Sequence, residues 1–395
     1  MVAGAVDAWR AAATVPTVDS CQLAGQDQLL LKTSQRDLEL GTVRKVVHTL
    51  ARGGDGQWHP SGFPQELPQD TVLTSVSPSG ALQARVVRVT SAALAGGREG
   101  LFPAPTDAAP PAGTYSRVDI SDRCGLVASI SLPSVAYADG WFEGLSWSPD
   151  EGSLVVVAEE PRPPQPTNGY FAPAGTTAGE AATSTTTDDG SLYDFKPDWG
   201  EAKVGMRRSV LILVDLVSST AAVLARSSTH ISAGSPVFVS DRSIVFCGTF
   251  QSAQDSVGYG ITGCTQRGTS LFAVDPTNPS MTHAVQLLDD AAIPTARLPS
   301  VTLDGMAILF IATLEQPSEL YTHGQCSVLC RLRSSDVSTA LRDAAAAAPD
   351  LTIAPAMLDV DTVVPFPSSV IDLERVSTSI ETPETYHTSD NYFVY

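Results

Sequence analysis

Residues 144–159 read Gly-Leu-Ser-Trp-Ser-Pro-Asp-Glu-Gly-Ser-Leu-Val-Val-Val-Ala-Glu. Leu145–Trp147 and Leu154–Ala158 are apolar runs of strand length. Ser148-Pro149-Asp150-Glu151-Gly152 between them is built from residues that tolerate or stabilise turn dihedrals. The stretch predicts a tight antiparallel hairpin.

The same shape returns along the chain. It occurs as Val72–Val76, Ser77-Pro78-Ser79-Gly80 and Leu82–Val89, and as Val237–Val239, Ser240-Asp241-Arg242 and Ile244–Cys247. A further copy is Ser300–Thr302, Leu303-Asp304-Gly305 and Ile308–Ala312. A second hairpin follows the first one in each unit. Its first strand, often carrying Val-Asp, is Arg117–Ile120, Val210–Leu216 or Ser270–Asp275, and return strands follow at Ala221–Ala225 and Ala284–Leu288. Four antiparallel strands per unit, repeated about an axis, define a propeller blade.

The units recur every roughly 60–90 residues, wider than the about 40–45 of a compact blade, so loop insertions are expected. They fall at residues 92–113 and 161–190, where little apolar surface is available to offset the entropy of ordering, and disorder is predicted for both. Helix is scarce. Ala3–Ala13 suits a short N-terminal helix, and Ser335–Ala348, stopped by Pro349, suits a second. The expected organisation is an N-terminal extension over 1–20 and an all-β propeller region over 21–395, incomplete at about four to five blades.

Charge excludes whole classes of partner. With 43 acidic against 24 basic residues the net charge is -19, and no basic run exceeds two residues. A nucleic-acid binder needs a cationic track, and an anionic membrane surface would repel this chain too. Six widely spaced cysteines form no dense disulfide framework, and the N-terminus lacks an apolar signal core. The reading is a cytoplasmic protein with reduced thiols, binding neither nucleic acid nor membrane.

Several blocks, in order, resemble the acylaminoacyl peptidases of the prolyl oligopeptidase class. They are Ser34-Gln35-Arg36-Asp37-Leu38-Glu39, Ser77–Gly80, Gly144–Ser148 with Val156–Glu159, Asp198-Trp199-Gly200-Glu201 with Val210–Asp215, Cys264-Thr265 with Leu271–Asp275, and His323–Cys330. The resemblance covers roughly residues 30–335 and weakens after Leu351. It implies a seven-bladed ring that covers the Ser-His-Asp site of a following α/β-hydrolase domain and admits only short N-acylated peptides. The nucleophile elbow of such a domain requires Gly-x-Ser-x-Gly, which occurs nowhere in the 395 residues. No catalytic residue is therefore assigned, and the hydrolase domain is read as absent, with the chain ending at Asn391–Tyr395. The expected role is substrate gating by a non-catalytic propeller portion, partnered by short N-acylated peptides and a hydrolase domain. Unpartnered blade faces would otherwise drive self-association. The alternative is a stand-alone propeller acting as a protein-binding scaffold.

Three motifs invite chemistry and are read as structural. Gly258-Tyr259-Gly260-Ile261-Thr262-Gly263 fits a dinucleotide loop in spelling, but a strand rather than a helix follows it, so no nucleotide cofactor is expected. Cys326 and Cys330 with His323 suggest zinc, yet in a strand both thiols share one inward face, and no metal is assigned. Asp198–Glu201 reads as a groove-filling Trp with a Gly turn, its functional alternative being a contact to the hydrolase domain. Histidines 48, 59, 230, 283, 323 and 387 are scattered and make no His-Glu-x-x-His pair.

Overall fold

The structure is a computed structural model that describes residues 2–24, 27–90, 114–161, 206, 208–224, 231–250, 268–278, 284–288, 293, 295–313, 328–346, 358 and 360–364. Helix α1 (Val2–Ala13) precedes five successive antiparallel units. The first unit contains β1 (Thr17–Ala24), β2 (Gln28–Asp37) and β3 (Thr42–Arg52), with the short β4 (Trp58–Pro60) and β5 (Gln65–Glu66) both paired to β3. The second is β6 (Thr71–Val76), β7 (Gln83–Thr90), β8 (Thr114–Ser121) and β9 (Leu126–Ser131). The third is β10 (Leu145–Trp147), β11 (Ser153–Glu159), β12 (Ser209–Asp215) and β13 (Thr220–Val223).

The fourth unit comprises β14 (Ile231–Ser240), β15 (Ser243–Phe250), β16 (Thr269–Val274) and β17 (Val285–Gln286). The fifth holds β18 (Thr295–Val301), β19 (Ala307–Thr313), β20 (Val328–Arg333), helix α2 (Ser334–Ala346) and β21 (Asp361–Val364). A single parallel bridge, Thr269 to Thr295, joins the fourth and fifth units into one sheet. Each unit is an up-and-down meander, and among the described residues no strand of the fifth pairs with the first. This is an incomplete all-β propeller.

The run that predicted the hairpin also shows why the blades stack. Leu154, Val156 and Ala158 pack with Ala84, Val86, Val118 and Ile120 of the second unit. Val155 and Val157 point the other way and pack with Ile244, Phe246 and Phe272 of the fourth. A strand apolar on every residue is what a blade with neighbours on both faces requires. Each such side chain contributes about 1.5–3 kcal/mol relative to exposure. The third core, between the fourth and fifth units, takes Leu271, Ile308, Phe310, Cys330 and Leu332, capped by Val337, Ala340 and Leu341 on one face of α2.

Two inner strands run further than their sequence suggested. The sequence places these strands at Val237–Val239 and Ser300–Thr302, but β14 and β18 continue N-terminally past Pro236 and Pro299 through register shifts at Gly234/Val237 and Arg297/Ser300. Ser235 and Leu298, immediately before those prolines, adopt φ of 46° and 53°. The bulge places each proline where the ladder needs no N–H, which is how a strand accommodates it.

The first unit differs from the rest. Among its described residues only Ala24 and Thr33 are buried, while Val18, Leu23 and Val43 are exposed. The insertions at 92–113 and, apart from Pro161, 161–190 lie outside the described residues, as do Asp198–Glu201, Gly258–Gly263, Cys264, His323 and Cys326.

Candidate functional site: the inner strands and the first seam

The first strand of each later unit lies on the axis side: β6 touches β10, β10 touches β14, and β14 touches β18. Their outer edges are hydrogen-bonded into the sheets, and among the described residues the inner edges of β6, β10 and β14 have no strand partner. Other groups bind there. The Ser235 N–H donates to the Glu143 carbonyl at 3.0 Å, and the Phe238 N–H donates to Ser146 Oγ at 3.2 Å. Close approach needs small residues: a Cβ on Gly144 would sit 2.2 Å from Pro236 Cδ, and one on Gly234 would sit 2.9 Å from the Trp141 carbonyl oxygen.

Along one rim the hairpin turns contact one another. Glu151 of the third unit accepts from the Ser79 hydroxyl of the second, and Asp241 of the fourth accepts from the Asp150 N–H at 3.0 Å. Within two of the turns the same chemistry appears. Ser148 Oγ donates to Asp150 at 2.6 Å and accepts from the Ser153 N–H, while Asp150 also accepts from the Gly152 N–H. Thr302, Asp304, Met306 and Ala307 reproduce that pattern in the fifth unit. Hydrogen bonds from Ser148, then Gly152, hold the Asp150 carboxyl below its ordinary range; Thr302, then Met306, do the same to Asp304.

The seam between the first and second units is polar where the others are apolar. Arg85, Val87, Tyr115, Arg117 and Asp119 alternate with the residues of the second–third core and so face the first unit. The Asp119 side chain is 4% exposed and is bound by Arg117 at 2.8 Å and Ser129 at 2.7 Å, with Arg85 at 3.6 Å. On the facing wall Gln22 reaches Ser75 and Val76 of β6. Lys32 lies on the same face of the first sheet as Gln22, because Gln22 pairs with Leu30, two residues along β2. Lys45, paired with Ser34, shares that face.

The residues singled out by sequence do not assemble a reactive centre among the described ones. His59 pairs with Asp55 at 3.1 Å on the exposed surface, and His48 contacts the Thr33 hydroxyl at 3.2 Å. Cys330 is buried in β20, and Cys247 is buried with its thiol pushed up to about 12 by desolvation. No group of three or more metal-ligating side chains occurs among the described residues, and no helix among them is long and apolar enough to cross a membrane. The seam residues Lys32, Arg85 and Asp119 were missed by sequence. Their only available signal is a charged residue on what would otherwise be a buried blade face.

Consecutive four-stranded meanders packed face to face through their inner strands define a β-propeller module. This chain belongs to the family described as the acylamino-acid-releasing enzyme, N-terminal domain, whose model matches residues 108–321, more than half of its length. It is the N-terminal propeller region of an acylaminoacyl-peptidase-like protein. It is 31% identical over 157 residues to the acylamino-acid-releasing enzyme of Arabidopsis thaliana, covering 36% of this chain and 19% of that protein. It is 30% identical over 200 residues to the enzyme of Homo sapiens, covering 49% and 26%. The chain thus spans about a fifth to a quarter of the length of these relatives. Among solved structures it is similar to the acylaminoacyl peptidase of Pyrococcus horikoshii, at 11% identity and a TM-score of 0.42 over 81% of this chain and 38% of that one.

Proposed function

We propose that this propeller is the non-catalytic, substrate-gating portion of a serine peptidase that releases N-acylated amino acids from short peptides. The carrying observation is the family match over residues 108–321 in a sequence without Gly-x-Ser-x-Gly. The proposed partners are short N-acylated peptides and an α/β-hydrolase domain, the second of these packed against one rim of the blades. Exposed Cys21 and Cys124, both free, favour a reducing compartment, the cytoplasm.

The test mixes this chain with a separately produced hydrolase domain of an acylamino-acid-releasing enzyme. The two are expected to co-elute, and the mixture is expected to cleave short N-acetyl peptides while rejecting long ones that the isolated hydrolase domain accepts. The chain alone should take up no fluorophosphonate label. Failure to co-elute, with an unchanged length profile, overturns the gating role.

A further inference from the structure

This chain has four lysines, and two of them, Lys32 and Lys45, stand on one face of its first sheet. That face turns toward the second and third units: Gln22 on it hydrogen-bonds to Ser75 and Val76. Lys32 is half-buried, and its ammonium makes no hydrogen bond or ion pair with any described residue. Burial, then the like charge of Lys45, lowers the Lys32 pKa, and the charges of Asp19 and Glu143 only partly compensate. Both of those carboxylates already accept elsewhere, Asp19 from Ser34 and Glu143 from the Gly140 N–H. A half-buried ammonium whose nearby carboxylates are already engaged elsewhere gains from a further anion.

The occupant follows from charge. An N-acylated peptide has lost its amino charge and retains its C-terminal carboxylate, so it is an anion approaching a chain of net charge -19. Only a local excess of positive charge draws such a ligand in. We propose that the seam between the first sheet and the inner strands of the second and third units binds the C-terminal carboxylate of a short N-acylated peptide, with Lys32 as the principal contact and Lys45 beside it. This rests on the gating reading above and adds to it a point of first capture.

Calorimetric titration of the chain with N-acetyl-Ala-Ala, its C-terminal amide and inorganic phosphate tests the site. The acid is expected to bind at least about tenfold tighter than the amide, the effect of one charge-assisted contact. Lys32→Gln should remove that preference without lowering the melting temperature, Lys45→Gln should weaken it, and Arg123→Gln in the exposed β8–β9 turn should leave it intact. Equal binding of acid and amide, no binding of either, phosphate binding in place of the peptide, or an unaltered Lys32→Gln variant overturns the proposal. Co-elution with the hydrolase domain is measured separately, so a failure of this site is told apart from a failure of the gating role.

Discussion

Gln22 meets Val76 through both ends of its side-chain amide. Its Nε2 donates to the Val76 carbonyl at 3.0 Å, and the Val76 N–H donates to its Oε1 at 3.2 Å. The amide thus does for the inner edge of β6 what a neighbouring strand would do, and it links the first unit to the second. The same Nε2 reaches Ser75 Oγ at 3.1 Å. Elsewhere the units are joined by apolar cores, whereas this seam depends on polar contacts.

Replacing Gln22 with Ala should therefore loosen that seam. The expected cost is about 1–2 kcal/mol, since the contacts are partly buried and water replaces some of them. Amide exchange at Val76 should accelerate while that at Val156, deep in the third unit, stays slow. Unchanged exchange at Val76 would show that the edge is protected by something other than Gln22.

Asp119 is the other polar element of the seam. Asp119→Ala strands the Arg117 guanidinium and the Ser129 hydroxyl, with a cost of about 1–3 kcal/mol because both arginines are exposed enough to rehydrate. Asp119→Asn should cost less, since the amide retains one acceptor. A denaturation midpoint unchanged in the Ala variant would contradict the assigned network.

How far the sequence led depends on which residues were asked to speak. Leu154–Ala158 announced a strand, and the structure buries it on both faces, dividing the run between two neighbours residue by residue. Asp150 and Asp304 announced their turns, because Ser/Thr and Asp two residues apart can close a hairpin through their own hydrogen bonds. The first sheet was recognised only through its Ser34–Glu39 block, since its strands mix Lys, Arg, Gln and Thr with their apolar residues and carry no clean alternation. Lys32 was silent for a related reason. One lysine in a mixed strand reads as solvent-facing, and only the register to Gln22 shows which wall it stands on.

Gly248 tests the packing within the fourth unit, where β15 lies between β14 and β16. A Cβ there would lie 2.4 Å from Phe272 Cδ2 and 2.6 Å from Ile231 Cγ2, so Gly248→Ala forces a core ring to move. Overpacking of this kind costs about 1–3 kcal/mol. Gly54→Ala, at a position with open space, should stay within about 0.5 kcal/mol of the parent. Equal melting temperatures for the two variants would refute the close approach.

Thiol reactivity separates surface from core. Cys21 and Cys124 are exposed, whereas Cys247 is buried with a raised pKa and Cys330 is fully enclosed. Native iodoacetamide treatment followed by peptide mapping should modify Cys21 and Cys124 within minutes and reach Cys247 and Cys330 only after denaturant is added. Rapid native labelling of Cys247 would place it outside the core.

Acid should dismantle the turns before the cores. Asp150 and Asp304 have folded pKa values below the ordinary 3.8, Asp150 through Ser148 and then Gly152, Asp304 through Thr302 and then Met306. A carboxylate whose folded pKa is depressed stabilises the protein above its unfolded pKa and loses that contribution as pH falls through the folded value. The melting temperature should thus decline as pH drops below 3.8, and part of the decline belongs to these two turns. In Asp150→Ala and Asp304→Ala that part is already gone. Each variant should melt below the parent at neutral pH, and the gap should narrow steadily with acidification. A gap that stays constant down to the lowest pH would mean that the carboxylates support the turns through shape alone, with no contribution from their charge.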